Sequence, residues 1–285
     1  SFFMVGVLAG YFLFASMVDN NDPKSTTWFN TYYILGALAV VAFLLLLTTK
    51  LDESSIKEAE QSKSAGDDFV EMWKLVLLPL VLVFIFSAFF YVLIEQSIMS
   101  WLPTFNKDVL QLSTSLSIQM ASILSASIAL GRFLAGLVLR KADWFIVLAV
   151  CLLAAGVLVL LAVPLTKNIT GITVNSLADV PLVAFIFPLI GLFLAPIYPA
   201  INSVILSNLP AHRHGPMSGL IVVFSALGGT TGSIITGNIF EAYGGQTAFY
   251  FSLAPICMLI ALLYVFKRLQ PKAGTVVDLK TAGGH

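Results

Sequence analysis

The chain consists mainly of long apolar segments separated by short polar loops. A membrane-spanning helix needs about 20 mostly apolar residues, because the hydrocarbon core is about 30 Å thick and each helical residue rises about 1.5 Å. Backbone polar groups in lipid must be bonded within the segment, so long apolar runs predict helices rather than strands. The pattern therefore predicts an all-α, polytopic membrane helix bundle with about eight transmembrane helices. The eight segments are 1–18, 28–49, 76–101, 114–139, 144–164, 181–207, 216–240 and 247–267.

The composition supports the same class of protein. Hydrophobic residues make up 58% of the 285 and charged residues 11%, whereas about a quarter of a soluble domain is charged. The formal net charge of +0 gives no reason to expect a nucleic-acid partner. All three histidines lie in predicted loops, so no Ser or Cys has a histidine partner within a span. We therefore expect no enzyme activity, no catalytic residues, no metal site and no cofactor.

Basic residues concentrate in alternate loops, and the positive-inside rule assigns those loops to the cytoplasm. The first helix is thereby predicted to run outwards, and the C-terminus to be cytoplasmic. We expect a multi-pass protein of a plasma membrane or a bacterial inner membrane, in contact with lipid. The basic residues on the predicted cytoplasmic side are Lys50, Lys57, Lys63, Lys74, Arg140, Lys141, Arg213, Lys267, Arg268 and Lys272.

The longest polar stretch divides two predicted helices from six. We predict two N-terminal helices over 1–50, a cytoplasmic loop over 51–75, a six-helix unit over 76–268 and a cytoplasmic tail over 269–285. The loop is either a flexible tether or forms short helices on the membrane surface, since it also contains apolar residues.

A glycine and arginine motif lies near the end of the fourth apolar segment. It comprises Gly131, Arg132 and Gly136, and Arg140 follows it. Small residues allow neighbouring helices to approach, and basic residues can bind helix ends or acids at the inner mouth. The motif resembles the G-R-x-x-x-G signature of the major facilitator superfamily. This resemblance implies that the eight helices correspond to the fifth to twelfth of the family, and that the chain is a fragment lacking the first four.

A second resemblance covers about fifteen residues. The segment 91–105 is similar to the seventh helix of the fucose permease branch, in which an acid is followed by small residues, an aromatic residue and an outer loop. That branch moves hexoses or deoxyhexoses with protons. Pro103 and Thr104 also occur at this place in organic-anion and drug exporters, so the substrate class stays open.

The third apolar segment carries the strongest candidate for a site. Ser87, Tyr91 and Glu95 recur at four-residue spacing and so share one helix face, with Gln96 beside them. An ionisable residue in a span costs at least a few kcal/mol unless it meets water or a partner. We expect Glu95, about six residues inside the outer end of the segment, to bind substrate or protons. The alternative is a role as an outer-rim residue.

Further polar residues lie in other predicted helices. Gln119 is on the fourth segment, and Tyr198 and Asn202 are one turn apart on the sixth. The sixth segment contains three prolines, and transporters tolerate such breaks where the freed backbone groups line a cavity. We include all three side chains among the candidates for substrate binding, although helix packing would also explain the prolines and Tyr198.

These patterns predict a secondary active transporter that works by alternating access. We expect a small solute, a sugar, moved with protons. The alternative is a carrier or exporter of drugs or organic-anion metabolites, and more remotely a membrane sensor that does not transport.

Overall fold

The computed structural model describes residues 2–19, 22, 24–49, 65–166, 177–210 and 213–270. These residues form helices joined by turns, and no strand occurs among them. The helices are α1 (Phe2–Met17), α2 (Asn30–Thr48), α3 (Ala65–Val76), α4 (Pro79–Asp108), α5 (Thr114–Val138), α6 (Trp144–Thr166), α7 (Ile186–Leu194), α8 (Ile197–Ser207), α9 (His214–Tyr243), α10 (Gly245–Tyr250) and α11 (Leu253–Leu269).

The described part of the chain contains seven helical stretches long and apolar enough to cross a membrane. The first predicted segment forms the shorter apolar helix α1, so each of the eight predicted segments is helical. The chain is an integral, multi-pass membrane protein. The seven stretches are Thr27–Thr48, Pro79–Asp108, Thr114–Val138, Trp144–Thr166, Leu182–Ser207, His214–Tyr243 and Gly245–Leu269.

Local sequence signals explain where several helices begin and end. Pro79 begins α4, where its missing N–H costs nothing. The Ser113 hydroxyl caps α5 by accepting a hydrogen bond from the Leu116 N–H at 3.3 Å. Gly244, with a φ of 82°, separates α9 from α10, and this backbone conformation favours glycine.

Helix α4 is longer than the sequence predicts. The apolar segment was expected to end at 101, but α4 continues through Pro103 to Asp108. Phe105 explains the extension, because its ring is fully buried and lies 4.9 Å from Phe187 and 4.7 Å from Phe249, between ring centroids. Tertiary packing thus outweighs the hydrogen bond that proline removes.

Helix α4 is also the centre of the bundle and packs against α9, α11, α5 and α8. The contact with α9 is between backbones: a Cβ on Gly228 would lie 2.3 Å from the Phe89 carbonyl oxygen, and one on Gly232 would lie 2.4 Å from that of Leu93. Small residues on α9 therefore permit its close approach to α4. On the other side of the bundle, α1 packs against α5.

The sixth apolar segment is broken into α7 and α8 near Pro196. The expected interruption of this span is therefore present, and it places Tyr198 at the start of α8. Helix α3 lies within the predicted central loop: Met72 is buried, whereas Phe69 and Trp73 are exposed. A short amphipathic helix thus forms over part of that loop, while residues 51–64 and the tail 271–285 lie outside the described residues.

A small cluster ties the start of α6 to the end of α11. Lys267 Nζ lies 3.2 Å from Asp143 Oδ1 and 4.6 Å from the centre of the Phe145 ring. Slight desolvation acts to raise the pKa of the Asp143 carboxyl, but hydrogen bonds from Lys267 and from the Ile146 and Phe145 N–H groups, together with the Lys267 charge, hold it below its ordinary value. This exposed pair joins the start of α6 to the last turn of α11.

Candidate functional site

The structure gathers polar side chains around Glu95. We call Tyr91, Glu95, Arg132, Tyr198 and Ser225 the Glu95 cluster. They come from α4, α5, α8 and α9. Helix α4 packs against each of the other three helices.

Glu95 lies deeper in the bundle than the sequence suggested. It was expected about six residues from the outer end of its segment, but it lies sixteen residues after the start of α4 and thirteen before its end. The extension of α4 through Pro103 accounts for the difference. Glu95 is 9% exposed and lies near the middle of α4.

Two donors hold the Glu95 carboxylate. The Tyr91 hydroxyl donates a hydrogen bond to Oε1 at 2.9 Å from the preceding turn of α4. Arg132 Nη2 donates to the same oxygen at 3.2 Å from α5 and forms an ion pair with it. A buried charge persists only when it is paired and hydrogen-bonded, and these two contacts supply both conditions.

A second layer of contacts fixes Tyr91. Its ring stacks on that of Tyr198, with centroids 5.5 Å apart and planes 23° apart. The Tyr198 and Ser225 hydroxyl oxygens are 3.0 Å apart and hydrogen-bonded. This chain of contacts links α4 to α8 and α9 through the cluster.

A cavity of about 320 Å³ adjoins the cluster and is lined by Arg132, Phe133, Tyr198 and Pro199. Arg132 keeps some access to this space, since its side chain is 20% exposed. Its Nε atom is buried and has no hydrogen-bond partner among the described residues. The cavity therefore has an aromatic wall, formed by Phe133 and Tyr198, beside the ion pair.

The other predicted site residues do not all join the cluster. Gln96 packs against α9, where its Cγ would lie 3.1 Å from a Cβ on Gly229. Gln119 donates to the Ser115 hydroxyl at 3.2 Å, and lies about 20 Å from Arg132 along α5. Asn202 is one turn beyond Tyr198, and its Oδ1 atom is buried without a hydrogen-bond partner among the described residues.

The residues of the glycine and arginine motif lie in different surroundings. A Cβ on Gly131 would lie 2.4 Å from the Leu192 carbonyl oxygen, so this glycine allows α5 to approach α7. A Cβ on Gly136 would meet no atom within 4 Å among the described residues, and the packing role of Gly136 stays a prediction. Arg140 is exposed beyond the end of α5.

Sequence reasoning missed the partnership of Arg132 with Glu95, because it assigned Arg132 to the inner rim. A signal was available. Arg132 is the basic residue that interrupts an apolar segment, and Glu95 is the acid that does so on the neighbouring helix. Opposite charges in lipid-spanning segments tend to pair.

The family comparison agrees with this architecture. The model of the Major Facilitator Superfamily matches residues 1–178, which is more than half of the chain. The chain belongs to this superfamily. The resemblance first drawn from the motif at 131–136 is thereby confirmed.

Two known proteins are similar to the chain. A protein named TsgA homolog from Buchnera aphidicola subsp. Baizongia pistaciae (strain Bp) is 24% identical over 275 residues, which cover 94% of this chain and 62% of that protein. The crystal structure of FucP, a Major Facilitator Superfamily transporter in the outward conformation, matches with a TM-score of 0.57 and 19% identity, over 87% of this chain and 55% of that one. The fold is thus similar to that of FucP, and the chain spans less than two thirds of both relatives.

Proposed function

We propose that the full-length protein is a secondary active transporter that moves a neutral, polyhydroxylated solute such as a sugar together with protons. Membership of the superfamily supports a transporter rather than an enzyme. The fold match to FucP, described as a transporter, supports the same class.

The observation that carries the proposal is the ion pair between Glu95 and Arg132 at the middle of α4. Charged residues inside a span are expensive and commonly mark substrate or ion pathways. Because the two charges compensate each other, the wall of the cavity has no net charge from this pair. A neutral substrate with many hydroxyl groups fits such a wall better than an ion does.

The geometry suggests how a proton and a solute would act on the same group. Protonation of Glu95 removes its negative charge and weakens the bond to Arg132. The guanidinium N–H groups and the Tyr91 hydroxyl are then free to bind solute hydroxyls, and the Tyr198 ring offers a face for a sugar ring. Proton binding and solute binding are coupled because both alter the same two hydrogen bonds.

Alternating access places such a site between two halves of the protein. We propose that residues 76–268 supply one wall, that residues 1–50 belong to the other half, and that 51–75 connect them. We further propose that the loops rich in Lys and Arg, and the C-terminus, face the cytoplasm of a plasma membrane or bacterial inner membrane. Partners are then the solute, the proton and membrane lipid.

One observation favours a second candidate, a carrier of organic anions. When Glu95 is protonated, the Arg132 guanidinium beside the cavity is left as an uncompensated cation. An anion could then pair with it. Transport assays with uncharged sugars and with organic anions of similar size separate the two candidates.

The test is Glu95→Gln in the full-length protein, with uphill uptake and counterflow of preloaded solute measured on the same vesicles. If Glu95 couples protons, accumulation driven by a pH gradient is lost while counterflow survives. The matched control is Glu241→Gln, which alters an acid at the end of α9 away from the cluster. Normal accumulation in Glu95→Gln would contradict the proposal.

A further inference from the structure

A second cavity lies between α5, α6 and the junction of α7 with α8. It has a volume of about 370 Å³ and shares no lining residue with the cavity beside Arg132. Its walls are almost wholly apolar. They are formed by Gly131, Leu134, Ala135, Val138, Ile146, Val147, Val150, Cys151, Leu192, Phe193 and Pro196.

This groove opens on the lipid-facing side of the bundle. Several of its apolar side chains are about half exposed, including Val138 at 48%, Ile146 at 59% and Val150 at 57%. Since α5 and α6 are membrane-spanning stretches, these exposed side chains lie at the depth of the lipid chains. Close contact of α5 with α7 at Gly131 forms the deep end of the groove.

The groove lies at one end of α5 and α6. It follows the last two turns of α5 and the first two turns of α6, which are joined by the loop 139–143. Gly131 lies about 10 Å above Val138 along the helix axis. The groove therefore begins beside this loop and extends roughly 10 Å towards the middle of the membrane, the length of the first part of an acyl chain.

The mouth of the groove is basic. Arg140 and Lys141 lie in the loop, are exposed, and form no ion pair among the described residues. The nearby Asp143 carboxylate is bound by Lys267 on α11. An apolar groove thus ends at two cations that have no counter-ion in the part of the chain that the structure describes. This arrangement is complementary to an anionic headgroup joined to an acyl chain.

We propose that this groove binds one molecule of an anionic phospholipid, with an acyl chain between α5 and α6 and its phosphate paired with Arg140 and Lys141. The inference rests on the loop facing the leaflet that contains anionic lipid, and it is independent of the solute transported. Each basic residue near an anionic membrane surface strengthens binding about fivefold. The two together therefore give a preference on the order of thirtyfold over a zwitterionic lipid.

The headgroup contact is tested with the full-length protein and a mixture of phosphatidylglycerol and phosphatidylcholine that have identical chains. Native mass spectrometry counts the lipid retained as detergent is increased. The wild type is expected to retain phosphatidylglycerol preferentially, and Arg140→Gln with Lys141→Gln to abolish the preference. The control is Lys24→Gln with Lys107→Gln, which removes the same charge from two exposed lysines, one between α1 and α2 and one in the last turn of α4. Both lie at the opposite ends of their helices, so the preference should be unchanged.

The acyl-chain contact is tested by filling the groove. Val150→Trp places an indole inside it, whereas Val157→Trp changes a residue of similar exposure, 53%, two turns further along the same helix and outside the groove. We expect Val150→Trp to lower retention of phosphatidylglycerol at least fivefold, and Val157→Trp to have no effect.

Three outcomes would overturn the inference. They are equal retention of the two lipids by the wild type, an unchanged preference after loss of both basic residues, and an unchanged retention in Val150→Trp. A groove that merely holds apolar molecules would respond to Val150→Trp alone and would thereby refute the role of Arg140 and Lys141.

Discussion

Replacing Arg132 by methionine should destabilise the protein, because it leaves the Glu95 carboxylate buried without its cation. Removing one partner of a buried ion pair costs about 3 to 5 kcal/mol. The Arg132 side chain is 20% exposed, which permits some solvent screening, so we expect a loss of about 3 kcal/mol in the free energy of unfolding. Methionine keeps an apolar stem of similar length and limits the loss of packing.

A second substitution separates charge from packing. Glu95→Gln combined with Arg132→Met removes both charges, and the amide retains a hydrogen-bond acceptor for Tyr91. The double variant should recover about 2 kcal/mol relative to Arg132→Met, since residues in direct contact couple by about 0.5 to 3 kcal/mol.

The ion pair between Lys267 and Asp143 is a matched control. Its N to O distance is also 3.2 Å, but the two side chains are 40% and 43% exposed. Exposed pairs contribute about 0 to 1 kcal/mol, so Lys267→Met should cost much less than Arg132→Met.

The free energy of unfolding can be measured for the four proteins by SDS titration in mixed micelles, with helical circular dichroism as the readout. The reasoning is refuted if Arg132→Met costs no more than Lys267→Met. It is equally refuted if the double variant is as unstable as Arg132→Met, because the cost would then come from packing and not from an uncompensated charge.

Three further predictions follow from other parts of the structure. Gly131→Val should lower the melting temperature of the full-length protein, because its Cβ meets a backbone carbonyl of α7, whereas Gly136→Val should not. Asp143→Asn should cost a small amount of stability at neutral pH. The difference in stability from the wild type should shrink as the pH falls through the lowered pKa of Asp143, because a protonated Asp143 no longer attracts Lys267 on α11. A constant difference from pH 7 to pH 3 would contradict this. In a background without native cysteines, Ala142→Cys should react with an impermeant thiol reagent only after cells are opened, whereas Tyr243→Cys should react in intact cells. The reverse pattern would contradict the proposed topology.

The membrane spans could be predicted from the sequence because they depend on local properties. A lipid environment requires each segment to satisfy its own backbone hydrogen bonds, so length and hydrophobicity are enough to identify a helix. The same reasoning predicted an interruption of the sixth segment from its three prolines, since proline acts on its own turn, and the structure places it near Pro196. The glycine and arginine motif identified the superfamily because its spacing is a property of a single helix.

What the tertiary structure decided depends on contacts between helices. Arg132 and Glu95 are 37 residues apart, and only the packing of α5 against α4 shows that they bond. The same packing places Gln119 away from the cluster. It also distinguishes Gly131, which lies against α7, from Gly136, whose Cβ would meet no atom within 4 Å in the described parts of the chain. Helix α4 passes Pro103 because Phe105 finds two aromatic partners on other helices. The periodicity of one helix identifies the face that a residue occupies, but the neighbour on that face is set by how the helices pack together.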